Sequence, residues 1–183
     1  MLVSPGHYCS VASHKSNIYA AYRDLGAIEI YSHSGDTWWG LRRIYTPIDA
    51  YDTIRLWVND TYIFASSYFN DAIFVYNHDG TLHGKHDVHG SSETGQLYGT
   101  LLCHGDDDGD VLIADYYNHR LQVLYSDGAF SVVNIPYMRY PRSAVYTPGR
   151  LYVLEWDPSS NRNRIDVYLP DQIKVGNVEQ ENE

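Results

Sequence analysis

Residues 109–128 read GDVLIADYYNHRLQVLYSDG, and the fold follows from how that stretch is built. Leu112-Ile113-Ala114-Asp115-Tyr116 is a short apolar run. Tyr117-Asn118-His119 is turn-prone, Arg120-Leu121-Gln122-Val123-Leu124 is a second run, and Ser126-Asp127-Gly128 closes it. Two short runs joined by a tight turn make an antiparallel hairpin, and the glycine supplies the positive φ that such turns need. Within the second run Leu121 and Val123 share one face and Gln122 takes the other, the period of a half-buried strand.

The same unit recurs along the chain. Ile18-Tyr19-Ala20-Ala21-Tyr22 precedes Ala27-Ile28-Glu29-Ile30-Tyr31 and Gly35. Ile63-Phe64-Ala65-Ser66-Ser67 precedes Ala72-Ile73-Phe74-Val75-Tyr76 and Gly80. Tyr152-Val153-Leu154-Glu155-Trp156 precedes Arg164-Ile165-Asp166-Val167-Tyr168. Ala20 to Ala65 is 45 residues, Ala65 to Ala114 is 49, and Ala114 to Leu154 is 40. A period of about 40–45 residues of short strands is that of propeller blades. The aliphatic pairs Ile28/Ile30, Ile73/Val75, Leu121/Val123 and Ile165/Val167 are expected to pack between blades. Flanking strands bring each unit to four: Gly99–Cys103 and Phe130–Ile135 in the third, Arg142–Tyr146 and Ile173–Val175 in the fourth. The fold class is therefore all-β, a β-propeller of about four four-stranded antiparallel blades spanning about 8–44, 49–90, 97–135 and 139–175. Residues 176–183 read as an acidic disordered tail.

The stretch 109–128 also resembles an NHL repeat, with a turn glycine, a short apolar strand, Ala-Asp, then Asn-His-Arg and an aliphatic pair. Asn118, His119 and Leu121 fall on the positions that name the repeat, and Tyr140-Pro141-Arg142-Ser143-Ala144-Val145 resembles the proline-led first strand. Blade 2 keeps only Asn70, blade 4 keeps Arg164 after an insertion at Pro158–Asn163, and blade 1 keeps no Asn-His-Arg. The resemblance implies a propeller like the C-terminal NHL domain of tripartite-motif proteins, which bind protein or RNA. It also implies that Asp115 and Arg120 form a structural ion pair, with Asn118 and His119 supporting the same turn. Such propellers usually have more than four blades. Four can close in principle; an open or partial array would need a partner at its ends, and two open arrays could complete one ring as a homodimer.

Bulk composition narrows the function classes. The 183 residues are 44% hydrophobic and 20% charged, a globular balance, with eighteen tyrosines. A net charge of −10 disfavours general binding to nucleic acid and anionic membranes. Two cysteines, Cys9 and Cys103, make no disulfide framework. With no signal peptide read at Met1–Ser10, a reducing cytoplasmic location is expected. Asn59-Asp60-Thr61 matches a glycosylation sequon, a tripeptide common by chance.

Candidate sites follow from the repeat. An aromatic stands at each middle turn: Tyr22, Tyr68, Tyr116 with Tyr117, and Trp156. Equivalent turns share one face of a propeller, so these five are the candidate partner-binding residues. Arg139, Tyr140, Arg142, Arg150, Arg162 and Arg164 form a relatively basic stretch that could bind single-stranded RNA by charge and stacking. His78, His83, His86 and His89 have no ligand spacing, because three residues along a strand reverses the face. Asp106-Asp107-Asp108-Gly109-Asp110 begins like a calcium loop, yet the position that needs a bidentate acid holds Tyr117, so a hairpin turn is expected. No catalytic constellation, metal site or cofactor is expected. The leading expectation is a non-catalytic module for protein or peptide partners, recruiting substrate within a larger ubiquitin-ligase-like protein. The alternatives are single-stranded RNA binding and a propeller-type metal-dependent lyase or lactonase.

Overall fold

The computed structural model describes residues 7–34, 37–91 and 93–176. Of the tail expected at 176–183, Gly176 instead ends a strand, where it pairs with Val132; residues 177–183 and the turn at Gly35 lie outside the described residues. The described chain is all-β, in four antiparallel sheets arranged as the blades of a propeller.

Blade 1 comprises β1 (Tyr8–His14), β2 (Asn17–Tyr22), β3 (Ala27–Ser34) and β4 (Thr37–Tyr45), in that order. Blade 2 comprises β5 (Ile54–Val58), β6 (Tyr62–Ser67), β7 (Ala72–Asn77) and β8 (Leu82–His86). Blade 3 has β9 (Thr100–Gly105), β10 (Val111–Asp115), β11 (Arg120–Leu124) and β12 (Phe130–Asn134). Blade 4 has β13 (Pro141–Thr147), β14 (Arg150–Asp157) and β15 (Arg162–Tyr168).

The last strand departs from the expected plan. β16 (Lys174–Gly176) pairs with β12 and becomes a fifth strand of blade 3. Ile173–Val175 therefore does not complete blade 4, which has three strands among the described residues. After Tyr168 the chain enters a 3-10 turn at Pro170–Gln172. Ile173 then packs into the apolar cluster between blades 3 and 4.

Each interface between successive blades is an apolar cluster. Tyr19, Ala21, Ile28 and Ile30 of blade 1 pack with Ile54, Leu56, Ile63 and Phe74 of blade 2. Phe64, Ile73 and Val75 of blade 2 pack with Leu102, Val111 and Ile113 of blade 3. Leu121 and Val133 of blade 3 pack with Ala144, Leu151 and Val153 of blade 4. The middle strands are buried on both faces: Phe74 and Gln122, on the faces opposite the aliphatic pairs, are as enclosed as the pairs themselves. The innermost strands meet in sequence, β1 with β5, β5 with β9, β9 with β13, and no contact of that extent joins blade 4 to blade 1 among the described residues. Blade 4 consequently overturns one expectation. Ile165 and Val167, which match the buried pairs of the other blades, are 68% and 47% exposed because no further blade covers them.

The middle turns share a backbone device. Gly26, Asp71, His119 and Asn161 each precede the third strand of their blade, and all four sit in the left-handed region, with φ of 55°, 49°, 55° and 53°. Glycine is used once; the other blades place Asp, His or Asn there, and Asp and Asn tolerate that region best after glycine. The acidic run 106–110 is the β9–β10 turn: Gly109 lies at φ 96° and the Asp110 N–H donates to Asp106 Oδ1 at 2.9 Å.

Candidate partner-binding face

The middle turns of blades 2 and 3, with Tyr140 before β13 and Trp156 near the end of β14, bring aromatic side chains from three blades to one end of the propeller. Tyr68 lies 5.9 Å, ring centre to ring centre, from both Tyr116 and Tyr117. Tyr116 is 5.2 Å from Tyr140, and Tyr140 is 5.4 Å from Trp156. Phe69 extends the run beside Tyr68, and Tyr98 extends it beside Tyr117. Most contacts are tilted or edge-on, the arrangement that ring quadrupoles favour. Phe69, Tyr98 and Tyr117 are exposed, while Tyr116 is buried beneath them.

Tyr22 is not part of this run. It stacks on Tyr8 at 5.3 Å, with its side chain on the blade 1 face turned away from blade 2. Strand register gives the reason. Tyr22 pairs with Ala27, as Ser67 pairs with Ala72, Asp115 with Arg120 and Glu155 with Arg164. Tyr68, Tyr116 and Trp156 come one residue later, so their counterpart in blade 1 is Arg23. A shift of one residue along a strand changes the face.

A buried carboxylate supports the turn in each of these three blades. Asp115 accepts from the Tyr98 N–H at 2.7 Å, and its other oxygen accepts from Asn118, Gln122 and the Arg120 Nε, each at 2.9 Å. Burial pushes this carboxyl above its ordinary value, against the pull of Asn118, the Tyr98 N–H and Arg120. Four donors aimed at two oxygens define the site as one for the ionised form. Glu155 accepts from the Arg139 N–H at 3.0 Å and from the Tyr168 hydroxyl at 2.8 Å. Asp52 accepts from the Ser67 hydroxyl and from the N–H groups of Thr53 and Phe69. In each case a carboxylate ties the approach to a blade's first strand to its middle hairpin.

The Asn-His-Arg triplet extends that frame. Asn118 donates to the Gly90 carbonyl at 2.8 Å, and Arg120 donates to the carbonyls of Glu93 and Gln96. His119 Nδ1 accepts from the Tyr140 N–H at 3.1 Å, which links blade 3 to blade 4. Burial, with Arg139 nearby, holds this imidazole below its ordinary value and so in the neutral form that can accept. Asp71 reaches from blade 2 to blade 3, taking the Gly99 N–H at 2.5 Å and pairing with His89 at 2.6 Å.

Between the aromatic run and the first strands lies a cavity of about 240 Å³. Its walls are Tyr68, Phe69, Tyr116 and Leu101, and two arginines face it, Arg55 from β5 and Arg142 from β13, with Thr53 beside them. The Arg142 guanidinium lies 5.7 Å from the Tyr116 ring centre and 5.8 Å from that of Trp156. Burial and a hydrogen bond to Tyr117 raise the Tyr68 phenol above its usual range, so it stays protonated.

Within the basic stretch, Arg150 stands apart from the others. Arg142 is near the start of β13 on the aromatic side, whereas Arg150 pairs with Thr147 at the far end of the blade. Arg164 is paired with Glu155 and Asp166, and Arg139 and Arg162 are exposed. The four histidines each have their own surroundings. His78 contacts the Asn59 carbonyl, His83 stacks by Tyr62, His86 meets Phe130 and His89 pairs with Asp71. No cluster of three or more His, Cys, Asp or Glu arranged to hold a metal occurs among the described residues. Burial pushes the Cys103 thiol up to about 12. Asn59 of the sequon is buried, and its Oδ1 accepts from the N–H groups of Thr61 and Tyr62.

Sheet order and blade stacking define the class: the protein is a β-propeller. Residues 103–124 match the family model for the NHL repeat, the segment that holds β10, the Asn-His-Arg turn and β11; the third blade therefore carries an NHL repeat. A search of curated proteins finds no match. Among solved structures, the chain is similar to the virginiamycin B lyase of Staphylococcus aureus at 12% identity and a TM-score of 0.63, covering 95% of this chain and 56% of that one. It is similar to a chain of a nidogen/laminin complex at 18% identity and a TM-score of 0.55, covering 88% and 62%. It is also similar to the computationally designed Ika4 protein at 12% identity and a TM-score of 0.61, covering 91% and 93%. At these identities the likeness is one of fold. The chain spans 56% of the lyase chain and 62% of the nidogen/laminin chain.

Proposed function

We propose that the chain is a non-catalytic binding module whose middle-turn face captures a protein or peptide partner. The observation that carries this reading is the continuous aromatic run from Phe69 through Tyr68, Tyr116 and Tyr140 to Trp156. Rigid amphipathic rings lose little conformational entropy on binding and make good contact anchors. These rings are braced by one another and by buried carboxylates beneath them, so little ordering remains to be done when a partner binds. The separate placement of Arg142 and Arg150 gives the RNA reading less support. Recruitment of a substrate within a larger ligase-like protein is the setting this module would suit. The test is capture from a random peptide library by the whole chain. Changing Tyr117 and Trp156 together to Ala is expected to abolish capture while leaving the circular dichroism spectrum unchanged. Equal capture by the variant would exclude this face.

A further inference from the structure

The cavity at the inner edge of the aromatic face is lined by two cations without an anion. Arg55 and Arg142 form no ion pair with any described residue, and both are half-buried. Nearby carboxylates are already committed: Asp52 to Ser67, Thr53 and Phe69, and Glu155 to Arg139, Arg164 and Tyr168. In a protein with an excess of ten negative charges, two half-buried arginines left unpaired at one cavity are out of keeping with the whole.

Strand register shows how they come together. Ile54 pairs with Ser67, Thr100 with Asp115 and Pro141 with Glu155. The next residue in each first strand is Arg55, Leu101 or Arg142, and all three line the cavity; Arg55 pairs with Ser66 and Leu101 with Ala114, whereas Arg142 is the bulge residue between Pro141 and Ser143. The first strands of three successive blades therefore each aim one side chain at this cavity, and two of the three are guanidinium groups, Arg142 reaching it from a β-bulge. Phe69 and Leu101 supply apolar wall, and Thr53 supplies a hydroxyl.

We propose that this cavity takes a carboxylate group of the bound peptide, an acidic side chain or the chain's terminal carboxylate. The inference rests on the binding reading above and names the chemistry of that site. A planar guanidinium presents a fork of N–H donors that matches a carboxylate, and partial burial strengthens such a charge-assisted pair. A cavity of about 240 Å³ accommodates one short side chain, with its methylenes against Phe69 and Leu101. An extended polyanion such as RNA would meet the repulsion of the remaining surface.

The test uses the whole chain and a random peptide library displayed with free C-termini. Selected peptides are then synthesised, and their affinity is measured by fluorescence anisotropy for the parent chain and for the Arg55→Gln, Arg142→Gln double variant. The expected result is enrichment of one fixed carboxylate, with a loss of about 10–100-fold in affinity on the double variant. Amidating the peptide's C-terminus, or changing its acidic residue to the amide, assigns the source. The single variants Arg55→Lys and Arg142→Lys keep the charge and lose the fork, and an intermediate loss is expected. Thermal melts establish that each variant is folded. Peptides bound without a carboxylate preference, or bound equally by the double variant, overturn the carboxylate site and leave the binding face standing. A library that yields no binder overturns both. Binding of a single-stranded oligoribonucleotide that the double variant loses, with no peptide selected, would assign the arginines to RNA instead.

Discussion

Asp115 shows how much one side chain organises here. It is fully buried, and the donors it gathers come from Tyr98 in the loop before β9, from Asn118 in the turn, and from Arg120 and Gln122 of β11. Asp115→Asn would keep the shape but turn an N–H₂ toward groups that are all donors. Breaking a buried charge pair from one side leaves the other charge uncompensated, so a loss of about 3 kcal/mol is expected, read as a fall in urea midpoint at unchanged slope. His119 works by the opposite logic, as an acceptor that must stay neutral. Its folded-state value is depressed, so as pH falls the unfolded chain takes the proton first. The stability it contributes is complete above the ordinary histidine value of about 6.5 and declines as pH drops through that value toward the folded one. The melting temperature is therefore expected to fall between pH 7.5 and pH 5.5. His86, which burial also depresses, shares in that fall. His119→Asn suits the left-handed backbone and removes one titrating group, so its melting temperature should change less over the same interval. An unchanged pH dependence would remove His119 from this account.

At the scale of elements, the turns position the aromatic face through close backbone approach. Gly99 lies at φ 74°, and a Cβ there would stand 2.8 Å from Tyr117 Cδ2 and 3.2 Å from Tyr116 Cβ. Gly99→Ala would add backbone strain of about 1–2 kcal/mol and push the Tyr117 ring outward. The expected outcome is a lower melting temperature together with weaker peptide capture, whereas an exposed loop glycine such as Gly149, with nothing near its Cβ position, should tolerate substitution by residues suited to a positive φ. The strands themselves were legible in the sequence, because short runs such as Ala72–Tyr76 and Arg120–Leu124 recur between turn residues; their burial on both faces, which encloses Phe74 and Gln122, was not, since alternation suggests a half-buried strand. Register was less so. Aligning Tyr22 with Tyr116 by composition is off by one residue, and only the pairing of Tyr22 with Ala27 and of Asp115 with Arg120 reveals it. Arg55 was missed for a related reason: it meets Leu101 and the bulge residue Arg142 only when the first strands of three blades are set side by side, a relation that neighbouring residues do not signal. The position of β16 was equally hidden, since Ile173 and Val175 are as suitable for one blade's edge as for the next.

At the scale of the whole molecule, the energetics of the blades differ by what lies beside them. Ile73, Leu121 and Ile28 are enclosed between neighbours, while Ile165 and Val167 occupy the matching places on blade 4 and face outward. Tyr152 and Leu154, opposite them on β14, are only partly covered. The same substitution should therefore have unlike costs at equivalent positions of one repeat. Truncating Ile73 to Ala removes buried methylenes and leaves a cavity between blades 2 and 3, at about 2–5 kcal/mol. Truncating Ile165 to Ala removes surface already in water and is expected to change stability by about 0.5 kcal/mol or less. Equilibrium urea denaturation of the two variants beside the parent chain measures both. A midpoint for Ile165→Ala as low as that for Ile73→Ala would mean that the outer face of blade 4 is covered in solution by another molecule, and dependence of that midpoint on protein concentration would identify the cover as a second copy of the chain.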